Sequence, residues 1–332
     1  MRHSPKLRWG ILGVAKINQR LLPAFAQATN AELRAIASRS PVRAQAAAQE
    51  AGIRVAHGSY EALLDDPAID AVYIPLPNTL HAEWTRQAAE RGKHILCEKP
   101  LTPTAADAEA LVAFCQAKRV KLMDGFMWPH HPRTARLRQL IDSGTIGEVR
   151  KVTGAFTFKM APLDPANIRL RPELAGGSLL DVGCYPVFGI RWAFGGEPVS
   201  VVAQATYQHG VDVELSGLLD MGKGRVGAFD CGFTLPLRQY LEITGTEGSI
   251  WIQDMWLPLD PAVFVIHREN RPPEEVRIAG HNQIVHMLED FGRAVLENQT
   301  IDPDPMEAVR TLRVLDALAQ AAGAGQRVGV KC

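Results

Sequence analysis

The sequence of 332 residues lacks the features that mark disulfide-rich, metal-binding and nucleic-acid-binding proteins. Its five cysteines are odd in number and too widely spaced for a disulfide framework or a CxxC metal site. Lysine and arginine total 36 residues, as do aspartate and glutamate, so no surplus positive charge attracts nucleic acid or an anionic membrane. These absences favour a protein of the reducing cytosol that binds neither partner.

Long apolar segments are also missing. Residues 1–9 contain no charged-then-apolar signal segment, and the least charged later stretch, residues 175–190, is interrupted by Asp181. We therefore expect a cytoplasmic chain that does not span a membrane. The composition, with 46% hydrophobic and 22% charged residues, is typical of folded proteins, and the length predicts two domains or one unusually large one.

The first third of the sequence alternates short aliphatic runs with longer alanine-rich runs, as the βαβ units of a parallel sheet do. Ser59 and Asn78 are placed to cap two of the predicted helices. Thr102 is placed to cap a third, with Pro103 at its first position. Pro23 lies inside an apolar helical pattern, where it predicts a kink. Strands are predicted at residues 7–12, 33–37, 70–75, 94–97 and 121–123.

After residue 126 the pattern changes to an alternation of apolar and polar residues, first over 152–160 and again over 211–219. Glycine-containing turns at 222–224 and 245–248 separate further strands, which predicts a second, mostly antiparallel sheet with one polar face. Two amphipathic helices follow. Their apolar faces carry, first, Ile284, Met287, Leu288, Phe291 and Val295, and second, Val309, Leu312, Leu315 and either Leu318 or Ala319.

The first predicted strand ends in a glycine turn, residues 10–18, from which a helix continues. Gly13 permits the tight turn, and the backbone N–H groups of Ala15, Lys16 and Ile17 are then expected to meet a pyrophosphate. Ala15 stands where the second glycine of G-x-G-x-x-G belongs, and Asn18 replaces the third. An ordinary glycine turn is therefore the alternative to a dinucleotide-binding turn.

The second strand ends at Ser38-Arg39-Ser40, about 25 residues after Gly13, where dinucleotide-binding proteins usually carry an acidic residue that binds the ribose. No carboxylate is present there. A guanidinium between two hydroxyls suits a 2′-phosphate, so NADP(H) is favoured over NAD(H). The alternative is that Arg39 is a solvated surface charge.

Two further segments carry residues suited to proton transfer. Glu98-Lys99-Pro100 directly follows a predicted strand, at the edge where open α/β sheets bind ligands, although a surface salt bridge is the alternative for Lys99. Asp181 and Tyr185 lie four residues apart after a glycine pair, so one helical face carries a carboxylate and a phenol. The alternative for that segment is a capped helix with a core tyrosine.

Other chemistries lack their motifs. The ten histidines show no HExxH or other tight metal-ligand spacing, and the adjacent His130 and His131 point in different directions on almost any backbone. Neither a G-x-S-x-G elbow nor a P-loop is present. We therefore expect no metal.

Five motifs then occur in order along the chain: PNTLH at 77–81, CEKP at 97–100, GFMWPHHP at 125–132, the segment 176–185 and LEITGTEG at 241–248. Together they resemble the glucose-fructose oxidoreductase, inositol dehydrogenase and rhizopine-catabolism (Gfo/Idh/MocA) superfamily of nicotinamide-dependent sugar oxidoreductases. The resemblance covers essentially the whole sequence. Relatives often have Tyr-Arg where this sequence has Trp128-Pro129, beside the substrate pocket of the family.

The resemblance implies roles for individual residues. The catalytic lysine of the family falls on Lys99, its aspartate on Asp181 and its proton donor on Tyr185. Tyrosine at that position is similar to the branch of D-xylose and dihydrodiol dehydrogenases and disfavours inositol. The expected cofactor-binding residues are Gly13, Ala15, Lys16, Ile17, Ser38, Arg39, Leu76, Asn78, His81, Glu98 and Lys99.

The implied reaction moves a hydride between NADP(H) and a carbon of a sugar or cyclic diol, and a xylose-like aldose 1-dehydrogenase is the candidate. Lys99 is expected to favour the Tyr185 phenolate, and Asp181 to hold Lys99 or the substrate hydroxyl. Substrate contacts are expected from Trp128, Phe158 and Trp256 against the ring and from Arg169 or His131 to its hydroxyls. The alternatives are a non-catalytic dinucleotide sensor and an NADP-dependent reductase of a non-sugar substrate.

The resemblance also implies the fold class and the assembly. It predicts an α/β protein with a Rossmann domain over residues 1–126 and a substrate-binding α+β domain, on an open and mostly antiparallel sheet, over residues 127–332. The last helices are expected to pack back onto the first domain. A homo-oligomer, either dimer or tetramer, is expected to form through the outer face of the C-terminal sheet.

Overall fold

The computed structural model describes residues 5–331, so that Cys332 and residues 1–4 lie outside it. The described chain divides into two units. The first consists of residues 5–102, 106–130 and 282–308, and the second of residues 103–105, 131–281 and 309–331. Both units are therefore built from segments that are discontinuous in sequence.

The first unit contains a six-stranded sheet in which every strand pair is parallel and the order is β3-β2-β1-β4-β5-β6. This order reverses at β1, and ligands of such sheets bind outside the carboxyl ends of the strands at that point. The predicted parallel α/β fold is confirmed. The strands are β1 (Leu7–Leu12), β2 (Ala31–Ala37), β3 (Val55–His57), β4 (Ala71–Ile74), β5 (His94–Cys97) and β6 (Leu122–Asp124).

Strand β3 is the one strand of this sheet that the sequence pattern did not predict. It has three residues, none of them buried, so it carries neither an apolar run nor an alternation. Pairing with β2 alone holds it in the sheet. Short edge strands of this kind are specified by their neighbour more than by their own composition.

The helices of the first unit are α1 (Asn18–Gln27), α2 (Pro41–Ala51), α3 (Tyr60–Leu64), α4 (His81–Glu90), α5 (Ala105–Ala117) and α8 (Gln283–Leu296). Helix α1 continues through Pro23. Ser59 caps α3 as predicted, since its Oγ accepts a hydrogen bond from the backbone N of Ala62 at 3.1 Å. The prediction for Asn78 was wrong in detail, because a 3-10 turn (Asn78–Leu80) precedes α4.

The predicted start of α5 at Thr102 and Pro103 was also wrong. The helix begins at Ala105, whose backbone N–H donates to Oδ2 of Asp316 at 3.0 Å. A carboxylate more than 200 residues away in sequence thus supplies the acceptor that a local cap was expected to provide. Sequence pattern around Thr102 cannot contain that information.

Helix α8 belongs to the core of the first unit. Its buried residues Ile284, Met287, Leu288 and Phe291 form the predicted apolar face. The ring of Phe291 lies 5.0 Å from that of Trp9 in β1, and Trp9 is fully buried. The first sheet is therefore covered by a helix that follows residue 282 of the chain.

The second unit contains a nine-stranded sheet in the order β14-β13-β12-β11-β7-β10-β9-β8-β15. All its pairs are antiparallel except β7 with β10, which confirms the mostly antiparallel sheet. Its strands are β7 (Val149–Thr157), β8 (Ser200–Gln208), β9 (Val211–Asp220), β10 (Val226–Gly232), β11 (Leu241–Gly245), β12 (Gly248–Ile252), β13 (Ala262–Arg268), β14 (Glu274–Ile278) and β15 (Val328–Gly329).

Strand β7 differs from its prediction. It ends at Thr157, so Phe158 and Met160 lie beyond it, and from Gly154 to Thr157 every residue is buried. Alternation fails there because β7 is a central strand, with β11 on one side and β10 on the other. Strand β9 keeps the predicted alternation of buried and more exposed residues along its length.

Helices α6 (Pro132–Asp142), α7 (Cys184–Phe194) and α9 (Met306–Ala324) complete the fold. Helix α7 packs closely on the second sheet, because a Cβ at Gly227 in β10 would lie 2.5 Å from Ile190 Cγ2. Leu318 of α9 is fully buried, whereas Ala319, the alternative, is exposed. Within residues 5–331 no helix has the length and apolar character needed to cross a bilayer.

Candidate functional site

The glycine turn between β1 and α1 has the geometry of a phosphate-binding turn. Gly13 has φ of +127°, a conformation that favours glycine. Asn18 donates a side-chain hydrogen bond to the carbonyl O of Gly13 at 2.9 Å, which closes the turn. The backbone N–H groups of residues 15–17 lie before α1 begins at Asn18, where a helix offers no carbonyl to accept from them. They can therefore donate to the oxygens of a diphosphate.

Gly10 has a different role in the same turn. A Cβ at this position would lie 2.6 Å from Leu63 Cδ2, closer than real Cβ atoms approach a neighbour. Glycine at position 10 therefore lets α3 pack directly on β1. Asn18 stands where the family fingerprint has its third glycine, and its hydrogen bond to Gly13 gives it a function in the turn.

The carboxyl end of β2 carries two guanidinium groups. Arg39 is exposed, and its guanidinium donates to the hydroxyl of Tyr60. Burial raises the pKa of Tyr60, and the positive charges of Arg39 and Arg43 oppose this shift. Arg43 donates from its guanidinium to the carbonyl O of Val14 at 3.3 Å, which ties α2 to the glycine turn. Ser40 caps α2 by accepting from the backbone N of Arg43 at 3.4 Å.

Arg43 and Tyr60 were not recognised in the sequence as parts of this site. The available signal for Arg43 was its position in the first turn of the helix that follows Ser38-Arg39-Ser40. Tyr60 gave no such signal, because its approach to the turn depends on where α3 packs. A Cβ at Gly13 would lie 3.9 Å from the Tyr60 hydroxyl.

The loop after β4 packs on the glycine turn, and His81 braces it. Leu76 Cδ2 lies 3.0 Å from the position of a Cβ at Gly13. The fully buried ring of His81 has its Nε2 2.8 Å from the carbonyl O of Leu76 and its Nδ1 2.8 Å from that of Pro100. Burial lowers the pKa of His81. The expected contact of this ring with the cofactor is therefore corrected to a bracing role.

Glu98, Lys99 and Asp124 lie together at the carboxyl ends of β5 and β6. Asp124 is paired in register with Cys97, the residue before Glu98. Glu98 accepts a hydrogen bond from the Tyr73 hydroxyl at 2.5 Å, and burial raises the pKa of its carboxyl. All three charged residues are only partly buried, so they are accessible from the edge of the sheet.

In the second unit, Arg169 joins the two residues expected to carry the proton transfer. Its Nε lies 2.6 Å from Oδ2 of Asp181. The pKa of Arg169 is raised, mainly by the Asp181 charge and to a smaller extent by Tyr185. The guanidinium also lies 5.8 Å from the centre of the Phe158 ring. Arg169, Asp181, Tyr185 and Phe158 thus form one cluster.

A π-helical turn (Leu179–Gly183) leads into α7 and positions this cluster. The prediction assumed ordinary α-helical spacing, which applies only from Cys184 onward. Oδ2 of Asp212 in β9 accepts from the Ser178 hydroxyl at 2.6 Å and from the backbone N of Leu179 at 2.7 Å. Asp212 therefore caps the π turn from another strand, and the sequence pattern did not reveal it. Single π turns are common at functional sites.

Aromatic rings enclose Tyr185, which is 8% exposed. Phe156 contacts it edge-on at 5.0 Å, and Trp256 lies 6.0 Å away. Trp256 is fully buried and donates from Nε1 to the carbonyl O of Ala155 at 2.8 Å. The expected stacking of Trp256 on a substrate is therefore wrong, because this indole belongs to the core.

Two of the remaining candidates for substrate contact are buried, and one of them is His131, which is 2% exposed. Trp128, in the first unit, is 1% exposed. The two adjacent histidines point in different directions, as predicted, because His130 Nδ1 lies 2.8 Å from Asp290 Oδ2 whereas the ring of His131 faces that of His281.

Among residues 5–331, no three histidine, cysteine, aspartate or glutamate side chains gather in a way that could hold a metal ion.

Two family models match this chain, one over residues 7–126 and the other over residues 134–251. Residues 7–126 match the family model described as oxidoreductase family, NAD-binding Rossmann fold. Residues 134–251 match the model of the GFO/IDH/MocA C-terminal domain. The protein belongs to the GFO/IDH/MocA oxidoreductase family. The resemblance drawn from the sequence motifs is confirmed, and this member is an oxidoreductase.

Two curated relatives of this GFO/IDH/MocA oxidoreductase span nearly the full chain. It is 40% identical to D-xylose 1-dehydrogenase (NADP(+)) 2 of Haloferax volcanii, over 97% of this chain and 99% of the relative. It is 35% identical to a dTDP-3,4-didehydro-2,6-dideoxy-alpha-D-glucose 3-reductase of Saccharopolyspora spinosa, over 97% of this chain and 98% of the relative.

Two solved structures are similar to this GFO/IDH/MocA oxidoreductase over their whole length. A 3-ketoreductase from Actinomadura kijaniata in complex with NADP and TDP-benzene has a TM-score of 0.88 and 32% identity, covering 95% of this chain and 98% of the other. An aldose-aldose oxidoreductase from Caulobacter crescentus complexed with glycerol has a TM-score of 0.90 and 28% identity, covering 98% and 99%.

Proposed function

We propose that this protein is an NADP(H)-dependent oxidoreductase that moves a hydride between the nicotinamide and a hydroxyl- or carbonyl-bearing carbon of a sugar or cyclic diol. A xylose-like aldose, oxidised at C1, is the candidate substrate. The observation that carries the proposal is the ion pair of Arg169 and Asp181, whose guanidinium lies within the electrostatic influence of Tyr185. Relatives named as sugar dehydrogenases and reductases support it.

The residues around the glycine turn fit a dinucleotide with a 2′-phosphate. The turn at Gly13 offers backbone N–H donors to the diphosphate. Arg39 and Arg43, with Ser38 and Ser40 beside them, offer cations and hydroxyls at the end of β2, where no carboxylate repels a phosphate. One relative is named as an NADP(+) enzyme, and one similar solved structure is in complex with NADP. Both findings support this assignment.

The nicotinamide, when bound, accepts or supplies the hydride. Tyr185 takes the proton from the substrate hydroxyl during oxidation and returns it during reduction. A free tyrosine has a pKa of about 10, so a neutral-pH base needs a nearby positive charge that favours the phenolate. Arg169 supplies such a charge within the second unit.

We assign Asp181 a further role beside the expected one. Its carboxylate pairs with Arg169, so it orients the guanidinium beside Tyr185. The guanidinium of Arg169 is always charged and can donate two parallel hydrogen bonds. Held in this way, it is suited to donate to the hydroxyls of a substrate as well. Phe158 stacks against Arg169 and offers an apolar face to a sugar ring.

A substrate panel tests the proposed function. The purified protein is assayed with NADP⁺ against pentoses, hexoses, anhydrosugars and trans-dihydrodiols, and with NADPH against a nucleotide-linked keto sugar, following the absorbance of the reduced nicotinamide. We expect a pentose or hexose to be the best substrate. Equal turnover of simple aliphatic alcohols contradicts the proposal. Cofactor binding without turnover of any compound would identify the sensor alternative instead.

Tyr185→Phe tests the mechanism, because it removes only the hydroxyl. Turnover should fall by about 10²–10⁴-fold, while the affinity for NADPH and the melting temperature stay unchanged. Tyr240→Phe is the matched control, since Tyr240 lies in the same unit and stacks on Trp251. If Tyr185→Phe keeps normal turnover while a deuterated substrate shows a full isotope effect, Tyr185 is a packing residue.

A further inference from the structure

A carboxyl group that the proposed mechanism does not use lies at the carboxyl end of β6. Asp124 ends this strand, directly beside the Glu98-Lys99 segment that ends β5. The backbones are in contact here, because Gly125 donates to the carbonyl O of Cys97 at 2.7 Å. A Cβ at Gly125 would lie 3.0 Å from Glu98 Cα and 3.4 Å from the Lys99 N. Asp124 is therefore held against the Lys99 loop.

The positive charges at this edge support the ionised form of Glu98 more than that of Asp124, because Arg20 acts on Glu98 alone of the two carboxyl groups. Two carboxyl groups, Glu98 and Asp124, share the neighbourhood of a single ammonium group, Lys99. Glu98 also accepts from the Tyr73 hydroxyl, which favours its ionised form. The backbone N–H of Gly125 favours the ionised form of Asp124, but its Oδ1 is buried without a hydrogen-bond partner among the described residues. Asp124 is thus the member of the pair for which ionisation is least supported.

The strand order decides which half of a dinucleotide meets this group. Arg39 ends β2, on one side of β1, whereas β4, β5 and β6 lie on the other side. A dinucleotide whose diphosphate lies on the β1 turn and whose 2′-phosphate meets Arg39 extends its nicotinamide half toward β4 and β5. That ring carries a positive charge only when oxidised, so a carboxyl group at this edge experiences a different field in the two oxidation states.

We infer that Asp124 sets the relative affinity of this protein for oxidised and reduced nicotinamide. As a carboxylate it compensates the positive ring of NADP⁺, and with a proton bound it matches the neutral ring of NADPH. The inference rests on the proposed binding of NADP(H). Burial and the neighbouring Glu98 raise the pKa of Asp124 to about 7, so both forms are populated near neutral pH.

Other titratable groups surround this carboxyl pair, and they bear on any pH effect. The pKa of the Cys97 thiol is raised well above its usual value by burial, so this group stays neutral near pH 7. Lys99 and Arg20 carry positive charges that oppose the raised pKa of Glu98. The charged and titratable neighbours are Glu98, Lys99, Cys97, Tyr73 and Arg20.

Proton linkage gives the expected sign. NADP⁺ binds best when Asp124 is ionised, so below pH 7 its binding must expel a proton and is weakened, whereas NADPH binding is not. With a shift of one to two pKa units on binding, the ratio Kd(NADP⁺)/Kd(NADPH) should fall about five- to tenfold between pH 6 and pH 8. The 2′-phosphate titrates near pH ~6 in both cofactors, so it cancels in the ratio.

The experiment measures both dissociation constants of the full-length protein by fluorescence titration at pH 6, 7 and 8. Asp124→Asn should make the ratio independent of pH. Glu90→Gln is the matched control, because Glu90 is an exposed carboxylate at the end of α4 in the same unit, and it should keep the wild-type dependence. Calorimetric titration in two buffers should show release of about half a proton on NADP⁺ binding at pH 7.

Two results overturn the inference, and a third overturns the function on which it rests. A wild-type ratio that stays constant from pH 6 to pH 8 excludes a titrating group that distinguishes the cofactors. A ratio in Asp124→Asn that still follows the wild-type curve assigns the effect to another group, such as Glu98. Failure of both NADP⁺ and NADPH to bind at any pH contradicts the proposed function itself.

Discussion

At the scale of single residues, Arg39 and Arg43 concentrate positive charge where β2 and α2 meet. Arg39 hydrogen-bonds the Tyr60 hydroxyl, and Arg43 donates to the carbonyl of Val14 in the glycine turn. Both residues are exposed, and these contacts hold their guanidinium groups near the turn. Pre-oriented cations lose less side-chain entropy when an anion binds, which favours a phosphate ligand at this end of the sheet.

Arg39→Asp should reverse the cofactor preference. It removes a charge-assisted contact of about 1.5–3 kcal/mol and places a carboxylate where a 2′-phosphate is expected, so kcat/KM with NADP⁺ should fall at least tenfold. Arg43→Ala should lower the same value without helping NAD⁺, because it adds no acceptor for a ribose hydroxyl. The measurement is kcat/KM with both cofactors at fixed substrate.

Arg54→Asp is the charge-matched control for this prediction, since Arg54 is exposed just before β3 and away from the glycine turn. It should leave the preference for NADP⁺ unchanged. A wild-type protein that uses NAD⁺ as efficiently as NADP⁺ contradicts the assignment of Arg39. An equal effect of Arg54→Asp shows that the net charge of the unit, and not the site, decides the preference.

At the scale of elements, the junction between the π turn and α7 depends on a residue of another strand. Asp212 in β9 accepts two hydrogen bonds from the start of the turn, from Ser178 and Leu179. Gly177, with φ of +113°, lies so close that a Cβ there would stand 2.3 Å from Asp212 Oδ1. The π turn that carries Asp181, and with it the start of α7 that carries Tyr185, is thus oriented by the second sheet.

Asp212→Ala should therefore affect turnover more than binding. Loss of the cap costs about 0.5–2 kcal/mol of stability, and displacement of Tyr185 should lower kcat about ten- to a hundredfold. The Kd for NADPH should not change, because the glycine turn belongs to the first unit. Asp212→Asn should restore most of kcat, since the amide oxygen still accepts from the backbone N–H.

Asp220→Ala provides the control for this experiment. Asp220 is at the other end of β9 from the π turn, and its side chain accepts from the backbone N of Gly222, so Asp220→Ala removes a comparable carboxylate contact away from Ser178 and Leu179. Its effect should be on melting temperature alone. If Asp212→Ala and Asp220→Ala lower kcat to the same extent, Asp212 acts through general stability and not through the position of Tyr185.

At the scale of the whole molecule, helices within residues 5–331 pack on the face of the second sheet that carries Gly217 and Gly227. Leu318 of α9 and Ile190 of α7 approach the face that carries Gly217 and Gly227. The other face is open, and Leu218 of β9 is 49% exposed on it. An open sheet face with exposed apolar side chains is suited to pairing with a second copy of the same face.

Leu218→Glu should weaken self-association, because a carboxylate in the middle of a buried interface loses its hydration without gaining a partner. Sedimentation velocity across a concentration series is expected to show a dimer or tetramer for the wild type and a smaller species for the variant. Leu259→Glu, at an exposed leucine outside the sheet, should assemble normally. A monomeric wild type, or an unchanged mass of Leu218→Glu, contradicts this prediction.

Local spacing in the sequence was sufficient to predict most elements of the fold. The strand at 94–97 was predicted with its exact bounds, and the apolar face of α8 at Ile284, Met287, Leu288 and Phe291 was predicted from helical periodicity. The glycine turn at Gly13 and the ordered motifs were also readable, because backbone conformation and helix periodicity depend on neighbouring residues. Family and fold class were determined at this level.

Contacts between distant segments were decided only by the tertiary structure. Asp212 meets Leu179 across 33 residues, and Asp124 meets the loop after β5 because two strands lie in register. Trp256 became a core residue through its bond to Ala155, although its sequence context allowed an exposed ring. Hydrophobic periodicity specifies which face of an element is buried but not which element covers it, and register and packing of the folded chain supply that choice.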